Sequence, residues 1–284
     1  MTDATELRPL MFSVAYGMLG SVAEAEDVAQ EAQLRMLRET ADIRSPAAYA
    51  VTVTTRLAID ELRSARARRE VYVGAWLPEP LVSNDPAGDP SQRAEAAEQL
   101  SIALLVMLER LSPVERAVFL LREVFQYEYE RIAEIVERSA ENCRQILTRA
   151  RAHVRADQPR FEASPERHGA LVDRFLAAAG SGDLAGLEAV LADDIAVTGD
   201  GGGKVPALAT PVQGRLRVAR FVIGLFRQVD RFGARVERVV VNGQPGGRAI
   251  GPDGETLSVF ALDIVDDRVV AVYNILNPDK LARV

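Results

Sequence analysis

Apolar residues recur at three- and four-residue spacing over the first sixty positions, which is the period of an amphipathic helix. Gly20-Ser21 separates two such stretches, and Ser21 is the predicted N-cap of the second. A third helix is predicted from Ser45-Pro46 to Arg69, because its length without a turn outweighs the strand preference of its valines and threonines. The two apolar stripes consist of Leu7, Leu10, Met11, Val14 and Met18, and of Ala25, Val28, Ala29, Ala32 and Met36.

This periodicity stops between Val71 and Glu98, where four prolines and the turn-rich stretch NDPAGDP exclude a regular helix. Helical spacing resumes at Leu100, and Ser112-Pro113 marks the start of another helix. Two shorter helices are predicted over 127–136 and 140–155, separated by three residues. That spacing is typical of a helix-turn-helix.

The last third of the chain changes in character after a second break at QPRFEASPE. Helices are predicted from Ser164-Pro165, from Asp183 and over 215–229. The stretch IAVTGDGGG is predicted as a strand followed by a glycine loop. Hairpin turns such as Asn242-Gly243 then join strands predicted over 234–241, 248–250, 255–265 and 268–275, which indicates an α+β domain.

A chain of 284 residues accommodates two or three domains, and the breaks define three. The predicted fold class is a multidomain protein with two all-α domains followed by an α+β domain. The predicted boundaries are 1–70 for the first helical domain, 71–98 for an acidic linker, 99–157 for the helix-turn-helix domain, 158–165 for a short linker and 166–284 for the α+β domain.

Composition narrows the class of protein. Hydrophobic residues make up 48% and charged residues 26%, as in soluble globular proteins, and no apolar run approaches the roughly 20 residues that span a bilayer. The N-terminus lacks a signal-like apolar core, so a cytoplasmic protein without a membrane segment is expected. One cysteine and two histidines argue against a disulfide and against a zinc site, and no metal, cofactor or catalytic residue is predicted.

A net charge of −7 argues against nucleic-acid binding, but the charge is unevenly distributed. Residues 138–160 contain six arginines and two acidic residues, and Arg63 to Arg69 form the basic run RSARARR. The linker carries five acidic residues and one arginine. Of the 34 basic residues only Lys204 and Lys280 are lysine, which makes these two positions informative.

The second helix of the helix-turn-helix has two distinct faces. Its predicted buried stripe contains Ala140, Cys143, Leu147, Ala150 and Val154. Arginine and glutamine can pair with base edges while further arginines hold phosphates, so the other face suits DNA recognition. A solvated basic face is an equal alternative at this point, and Glu141 weakens the DNA interpretation unless it accepts from a cytosine amino group.

Two segments are similar to the extracytoplasmic-function sigma factors. Their region 2 resembles EAEDVAQEAQLRMLRE with IRSPAAYAVTVTTRLAIDELRSARARRE, and their region 4 resembles LERLSPVERAVFLLREVFQYEYERIAEIVERSAENCRQILTRARAHV. The SigJ-type group resembles the chain more narrowly in WLPEP, DGGGK and NPDKL. This resemblance implies an alternative sigma factor whose C-terminal domain is a SnoaL-like, NTF2-like cone-shaped barrel.

The resemblance also implies roles for individual residues. On the second helix, the expected contact with the clamp helices of the largest subunit of core RNA polymerase comprises Asp27, Gln30, Glu31 and Arg35. Melting and capture of the −10 element is assigned to the loop 43–49 and the third helix, with Tyr49, Arg56, Arg63 and Arg66 as candidates. Tyr49 could equally be a core residue.

In region 4, the residues expected to read the bases of the −35 element are Arg144, Gln145 and Thr148. Arg149 and Arg151 are expected at promoter phosphates, and Arg155 is expected in the same −35 interface. Glu137 departs from the pattern, since many helix-turn-helix proteins have a glycine there, and a somewhat different turn is expected. The acidic linker is expected to pass through the basic nucleic-acid channel of polymerase.

The C-terminal domain is expected to regulate the sigma regions through an intramolecular contact with them and with the linker. The residues expected to form this contact are Trp76, Leu77, Pro78 and Glu79 of WLPEP, Asp200, Gly201, Gly202, Gly203 and Lys204 of DGGGK, and Asn277, Pro278, Asp279 and Lys280 of NPDKL. Trp76 is expected to supply apolar anchorage. A small-molecule ligand of the barrel stays an open question.

Two other classes of protein compete with the sigma factor. One is a helix-turn-helix regulator fused to a ligand-binding or enzymatic barrel, with Asp263 and Tyr273 as inward-pointing acid-base candidates. His168 is expected at the surface rather than in an active site. The other is a repressor that never contacts polymerase.

Overall fold

Helices occupy the first half of the chain where the apolar stripes predict them. The computed structural model describes residues 5–39, 43, 45–69, 72–83, 100–155 and 165–284, without the side chains of 65–69, 155 and 165–167. The described residues form two units, one within 1–71 and 104–158 and the other within 72–103 and 159–284. The linker stretch that contains WLPEP therefore belongs to the same unit as the C-terminal domain.

The first unit begins with α1 (Arg8–Leu19), α2 (Val22–Arg38) and α3 (Pro46–Arg69). Gly20 ends α1 in the left-handed conformation, and the Ser21 hydroxyl caps α2 by accepting from the amide of Glu24. Both predicted stripes pack inward. One core cluster contains Leu7, Met11, Ala29, Ala32, Met36 and Ala50.

The helix-turn-helix domain contains α4 (Ile102–Leu108), α5 (Pro113–Phe119), a π-helix (Leu120–Val124), α6 (Tyr129–Val136) and α7 (Ala140–Arg155). Ser112 and Glu115 form a reciprocal capping box at the start of α5. The π-helix was not predicted, because apolar spacing does not distinguish it from the end of an α-helix.

The second unit combines a sheet with helices. Its elements are β1 (Val82–Ser83), α8 (Pro165–Ser181), α9 (Leu184–Val190), β2 (Leu191–Asp200), β3 (Val212–Gln213), α10 (Arg215–Arg231), β4 (Arg235–Val241), β5 (Gln244–Ile250), β6 (Thr256–Val265), β7 (Arg268–Ile275) and α11 (Pro278–Leu281). The strand order is β1-β4-β5-β6-β7-β2-β3, and β2 and β7 pair in parallel whereas the other neighbours are antiparallel. Strand β1 comes from the linker, so the linker supplies an edge strand of the sheet.

Strand β5 is longer than predicted. Gly246 and Gly247 indicate a loop by composition, but both pair with β4 and β6. A Cβ at Gly247 would collide with the ring of Phe260 on β6, so glycine here permits a close approach within the sheet. Strands β1 and β3 and helix α11 are too short to give a periodic signal.

The core of the second unit lies between its helices and one face of the sheet. Phe175 on α8, Val222 on α10 and Leu262 on β6 are among its buried members. Alternation along β6 places Val259, Ala261 and Asp263 on the opposite face. Among the described helices, none is both long and apolar enough to cross a bilayer.

Candidate functional site

Helix α7 presents its predicted polar face to solvent. Cys143, Leu147, Ala150 and Val154 are buried as the stripe predicts, whereas Ala140 is only partly covered. Burial raises the pKa of the Cys143 thiol, which makes this cysteine a packing residue. The predicted DNA-contacting residues Arg144, Gln145, Thr148 and Arg149 are exposed, and so is Glu141.

Acidic residues outside α7 hold two of its arginines. Arg144 lies 3.2 Å from Glu130 and 4.8 Å from the centre of the Tyr129 ring. Arg151 donates to Glu123 at 2.7 Å. The side chain of Arg155 lies outside the described part of the chain. Gln145 and Thr148 are therefore exposed between two arginines, Arg144 and Arg151, whose guanidinium groups already have intramolecular partners.

The turn between α6 and α7 keeps the geometry that a glycine usually provides. Glu137 has φ 55° and ψ 51°, which is the left-handed region. The expectation of a different turn is therefore wrong, because Glu137 itself adopts this conformation to end α6. A residue with a Cβ costs about 1–2 kcal/mol there.

The residues predicted to act at the −10 element are partly engaged with protein groups. The Tyr49 hydroxyl donates to Glu39 at 3.0 Å, and burial together with this carboxylate raises the pKa of Tyr49. Arg63 pairs with Asp60 at 2.9 Å on the surface of α3. The side chain of Arg66 falls outside the described residues, as does Arg44 of the predicted loop 43–49, whose residues from Pro46 onward belong to α3.

Arg56 and Arg131 form two contacts between α3 and α6. Arg56 donates from Nε to the carbonyl of Ile135 at 3.0 Å and from Nη2 to that of Glu134 at 2.9 Å. Arg131 donates in the other direction, to the carbonyl of Ala48 at 2.7 Å and to the hydroxyl of Thr52 at 2.6 Å. We call these two arginines and their four acceptors the latch. It joins the predicted −10 helix to the helix-turn-helix.

A buried arginine in the same unit was not predicted as a functional residue. Arg116 on α5 is 1% exposed and donates to the carbonyls of Met18 and Leu108 and to the carboxylate of Glu109. Its position gives no signal in the sequence, since a lone arginine in an amphipathic helix is normally exposed.

The predicted polymerase-binding face of α2 is accessible. Asp27 and Gln30 are exposed, and Glu31 pairs with Arg35 at 2.8 Å. Leu34 and Leu37 are exposed beside them, at 38% and 67%. These two leucines were missed because they fall outside the buried stripe without being polar, and exposed leucines at a predicted interface fit a protein partner.

Asp200 lies at the centre of the second site, where β2 ends. Its carboxylate is fully buried and accepts four hydrogen bonds: from the Tyr72 hydroxyl at 2.6 Å, the Gly202 amide at 3.0 Å, the Leu77 amide at 2.9 Å and the Lys280 ammonium at 2.7 Å. Burial, followed by the hydrogen bond to Asp200, raises the pKa of Tyr72. We call this group of residues the Asp200 clamp.

The contacts of Lys280 explain why a lysine stands at this position in a chain whose other basic residues are nearly all arginine. Its ammonium lies 4.3 Å from the centre of the Trp76 ring and 5.1 Å from that of Tyr72, and it also donates to the carbonyl of Leu77. Trp76 therefore acts as a cation-π partner. Leu77 is more deeply buried, at 1% exposure, and apolar anchorage by Trp76 stays a prediction.

The remaining motif residues surround the clamp. Pro78 and Glu79 are buried, Gly201 and Gly202 lie in the turn after β2, and Pro278 begins α11. Lys204 is exposed and pairs with Asp279 at 2.6 Å.

Two further motif residues approach the linker. Gly203 has φ 70°, and a Cβ there would be tight against Val73 of the linker. Asn277 caps α11 and donates to the Tyr72 hydroxyl at 2.9 Å.

Asn242 is a second linker contact that the sequence did not reveal. Its side chain accepts from the amide of Leu81 at 3.0 Å and donates to the carbonyl of Leu100 at 2.8 Å. Its own amide donates to the carbonyl of Leu81 at 2.8 Å. The Asn-Gly pair predicts a hairpin turn, and nothing in this pattern indicates that the Asn242 side chain also binds the linker.

The predicted acid-base candidates do not face the core between helices and sheet. Leu262 and Val272 belong to that core, and alternation directs the neighbouring Asp263 and Tyr273 to the other face. Burial raises the pKa of Asp263 to about 6. His168 is half-buried rather than at the surface, because α8 packs on β5, and burial lowers the pKa of its imidazole.

Family models match all three domains. Sigma-70 region 2 matches residues 4–68, Sigma-70 region 4 matches 101–154, and the SnoaL-like domain matches 172–277. We therefore use region 2, region 4 and SnoaL-like domain for these parts of the chain.

Known sigma factors give the same assignment. The ECF RNA polymerase sigma factor SigJ of Mycobacterium tuberculosis is 38% identical over 289 residues, covering 99% of this chain and 92% of SigJ. The probable sigma factor SigI of that species is 36% identical over 66% of each chain. The crystal structure of M. tuberculosis SigJ matches with a TM-score of 0.80, covering 97% of this chain and 96% of that one.

These relatives are transcription initiation factors, which sets aside the fused enzyme and the repressor that never contacts polymerase. The chain belongs to the extracytoplasmic-function sigma factors with a C-terminal SnoaL-like domain, and it directs promoter-specific transcription initiation by RNA polymerase.

Proposed function

We propose that the SnoaL-like domain regulates this sigma factor in cis by holding the linker between regions 2 and 4. The observation that carries the proposal is the fully buried Asp200 carboxylate, which binds the linker through Tyr72 and Leu77. Asn242 binds the linker again at Leu81 and at Leu100. Leu81 and Leu100 therefore contact the same asparagine.

Because the linker joins region 2 to region 4, these contacts limit how far apart the two regions can move. Region 2 ends near Arg69 and region 4 resumes after Leu100, so the linker is their direct connection. A linker bound at 72–83 and again at Leu100 cannot extend to its full contour length. Release of Asn242 frees about 16 residues, which can span at most about 50–60 Å when extended.

The acidic stretch within the linker fits this scheme. Asp85, Asp89 and Glu95 lie outside the described residues, and we retain the proposal that they enter the basic nucleic-acid channel of core polymerase. The SnoaL-like domain then controls when this segment becomes available. The protein acts where polymerase acts, which places it in the cytoplasm.

Run-off transcription with reconstituted holoenzyme tests the regulation. Deletion of 161–284 releases the whole linker and Asn242→Ala releases its attachments at Leu81 and Leu100, so both should change transcript yield severalfold and in the same direction. Gln213→Ala, which removes an exposed amide from the same domain, is the matched control and should leave the yield unchanged. Equal yields from the truncated, Asn242→Ala and parent proteins would refute the regulatory role.

We also propose that the exposed face of α7 reads the −35 element. Arg144, Gln145 and Thr148 contact bases, while Arg149, Arg151 and Arg155 contact phosphates. Gln145→Ala should relax specificity at one base pair by about 1–3 kcal/mol, whereas Arg149→Ala should weaken all sequences alike and reduce the salt slope by about 0.9. Binding to a panel of single-base variants distinguishes the two behaviours.

Region 2 performs the other two steps in this proposal. Tyr49, Arg56, Arg63 and Arg66 contact the melted −10 element. Helix α2 contacts the clamp helices of the largest subunit of RNA polymerase. The contacting residues are Asp27, Gln30, Glu31 and Arg35, with Leu34 and Leu37 beside them. Because Leu37 is 67% exposed, Leu37→Ala should weaken core binding without altering the stability of the free protein. Titration of labelled core polymerase measures the first quantity and urea unfolding the second.

A further inference from the structure

Helix α10 of the SnoaL-like domain carries a row of exposed arginines that neither the sheet nor the linker uses. Arg217, Arg220, Arg227 and Arg231 follow one another at helical spacing on the side opposite the buried Val218, Val222 and Ile223. None of these four arginines forms an ion pair with a described residue, whereas Arg215 next to them pairs with Asp193.

Two arginines of the row, Arg227 and Arg231, border a shallow hollow of about 270 Å³. Its lining residues are Gly224, Arg227, Gln228, Arg231 and Phe232. Gly224 forms the open part of the hollow, since a Cβ built there would meet no atom within 4 Å. Phe232 at the end of α10 is 64% exposed.

These features reduce the stability of the helix. Like charges at three- and four-residue spacing repel by about 0.2–0.5 kcal/mol per pair, and glycine inside a helix costs about 1 kcal/mol relative to alanine. The first turn of α10 contains arginine and no acidic residue, which opposes the helix dipole. Packing gives no compensation at Gly224, so an external ligand is the better explanation.

We propose that α10 binds the phosphate backbone of duplex DNA without regard to sequence, as a third DNA contact of this sigma factor. From Arg217 to Arg231 the helix rises about 21 Å, which corresponds to about six base pairs of B-DNA. Arginine pairs with phosphate through two parallel hydrogen bonds. The hollow receives one phosphate between Arg227 and Arg231, and Phe232 contacts the adjacent sugar.

This contact is independent of the Asp200 clamp and of Asn242, because none of their residues lies on α10. It adds an electrostatic anchor on DNA that regions 2 and 4 do not supply. The anchor raises affinity for any DNA that a promoter complex brings within reach of the SnoaL-like domain.

The test compares two double variants of the full-length protein. Arg227→Gln with Arg231→Gln alters the hollow, and Arg174→Gln with Arg235→Gln is the control, because it removes the same charge from exposed positions of the same domain. Fluorescence anisotropy measures binding to a labelled duplex without promoter elements between 50 and 200 mM salt. Parallel titrations use the corresponding single strand and core RNA polymerase.

The hollow variant should flatten the slope of log affinity against log salt by about 1.8, which at 0.1 M salt is a loss of up to about 60-fold, while the control keeps the parent slope. Equal loss in both variants, or no change in slope, would overturn the proposal. So would a larger loss on the single strand than on the duplex. A loss of polymerase affinity with unaltered DNA binding would assign the surface to a protein partner instead.

Discussion

The latch in the first unit and the Asp200 clamp in the second both join distant parts of the chain through cationic side chains, but their environments differ. The Asp200 carboxylate is fully buried, and the cation that balances it is only 11% exposed in its side chain. Arg56 and Arg131 are 47% and 31% exposed and donate chiefly to backbone carbonyls and a hydroxyl.

The difference indicates which contact can open during transcription. Removing one partner from a buried ion pair leaves a charge without compensation, whereas water can replace a half-exposed guanidinium at a carbonyl. The clamp is therefore a permanent part of the fold. The latch is the contact that can open at the lower cost, and the proposed role of Arg56 at the −10 element requires it to open.

The largest effect is expected when the clamp loses its charge balance. Asp200→Ala leaves the buried ammonium of Lys280 without its carboxylate and should reduce the free energy of unfolding of the second unit by about 3–5 kcal/mol. Urea denaturation followed by Trp76 fluorescence measures this change. Adding Lys280→Met removes the unpaired charge, so the double variant should recover part of the loss. A double variant less stable than Asp200→Ala would contradict the assignment.

Asp263 sharpens the comparison, because it is a buried carboxylate without a cation among the described residues. Its folded-state pKa of about 6 exceeds that of an unfolded aspartate, about 3.9, so the fold favours the neutral acid. Below pH 4 Asp263 is neutral in both states and burying it costs no ionisation energy. The protein loses stability as the pH rises from about 4 through 6. Asp263→Asn should match the parent at pH 4 and exceed it by roughly 3 kcal/mol at pH 8.

Calorimetry across this pH range measures the effect. Asp266→Asn, in the exposed turn after β6, is the control and should show no such dependence. A constant difference between Asp263→Asn and the parent at every pH would show that ionisation of Asp263 is not its cause.

Opening the latch should reduce stability less than loss of the Asp200 clamp does. It should change the conformation of the protein more. Arg131→Ala removes the contacts to Ala48 and Thr52 and should lower the free energy of unfolding by about 1–2 kcal/mol. The distance between fluorophores on regions 2 and 4 should increase in the free protein, and holoenzyme should form faster. Arg38→Ala, at the exposed end of α2, is the control. An unchanged distance in Arg131→Ala would show that the latch does not hold the regions together.

Much of the fold follows from sequence because the signals are local. Apolar stripes, Ser21 and Ser112 as caps and the Asn242-Gly243 turn gave nearly all helices and the long strands. The two sites depend on long-range pairing, which has no period. The motifs named most residues of the Asp200 clamp, but neither the second use of Asn242 nor the burial of Arg116 follows from any local pattern.

Arg56 illustrates the same limit. Its position on α3 predicted a contact with DNA, while its carbonyl partners lie nearly eighty residues away. The structure gives the intramolecular contact, and the role of Arg56 at the −10 element stays a prediction.

The smallest effect is expected at the turn beside the latch. Glu137 is held in the left-handed region, and its carboxylate is 72% exposed and 3.2 Å from Arg56, so the ion pair contributes little. Glu137→Gly relieves the backbone strain and should stabilise the first unit by about 0.5–1 kcal/mol. Arg138→Gly is the matched control, because Arg138 is not among the residues with positive φ and gains nothing from glycine. Thermal unfolding measures both, and destabilisation by Glu137→Gly would mean that its ion pair with Arg56 strengthens the latch beyond what its exposure suggests.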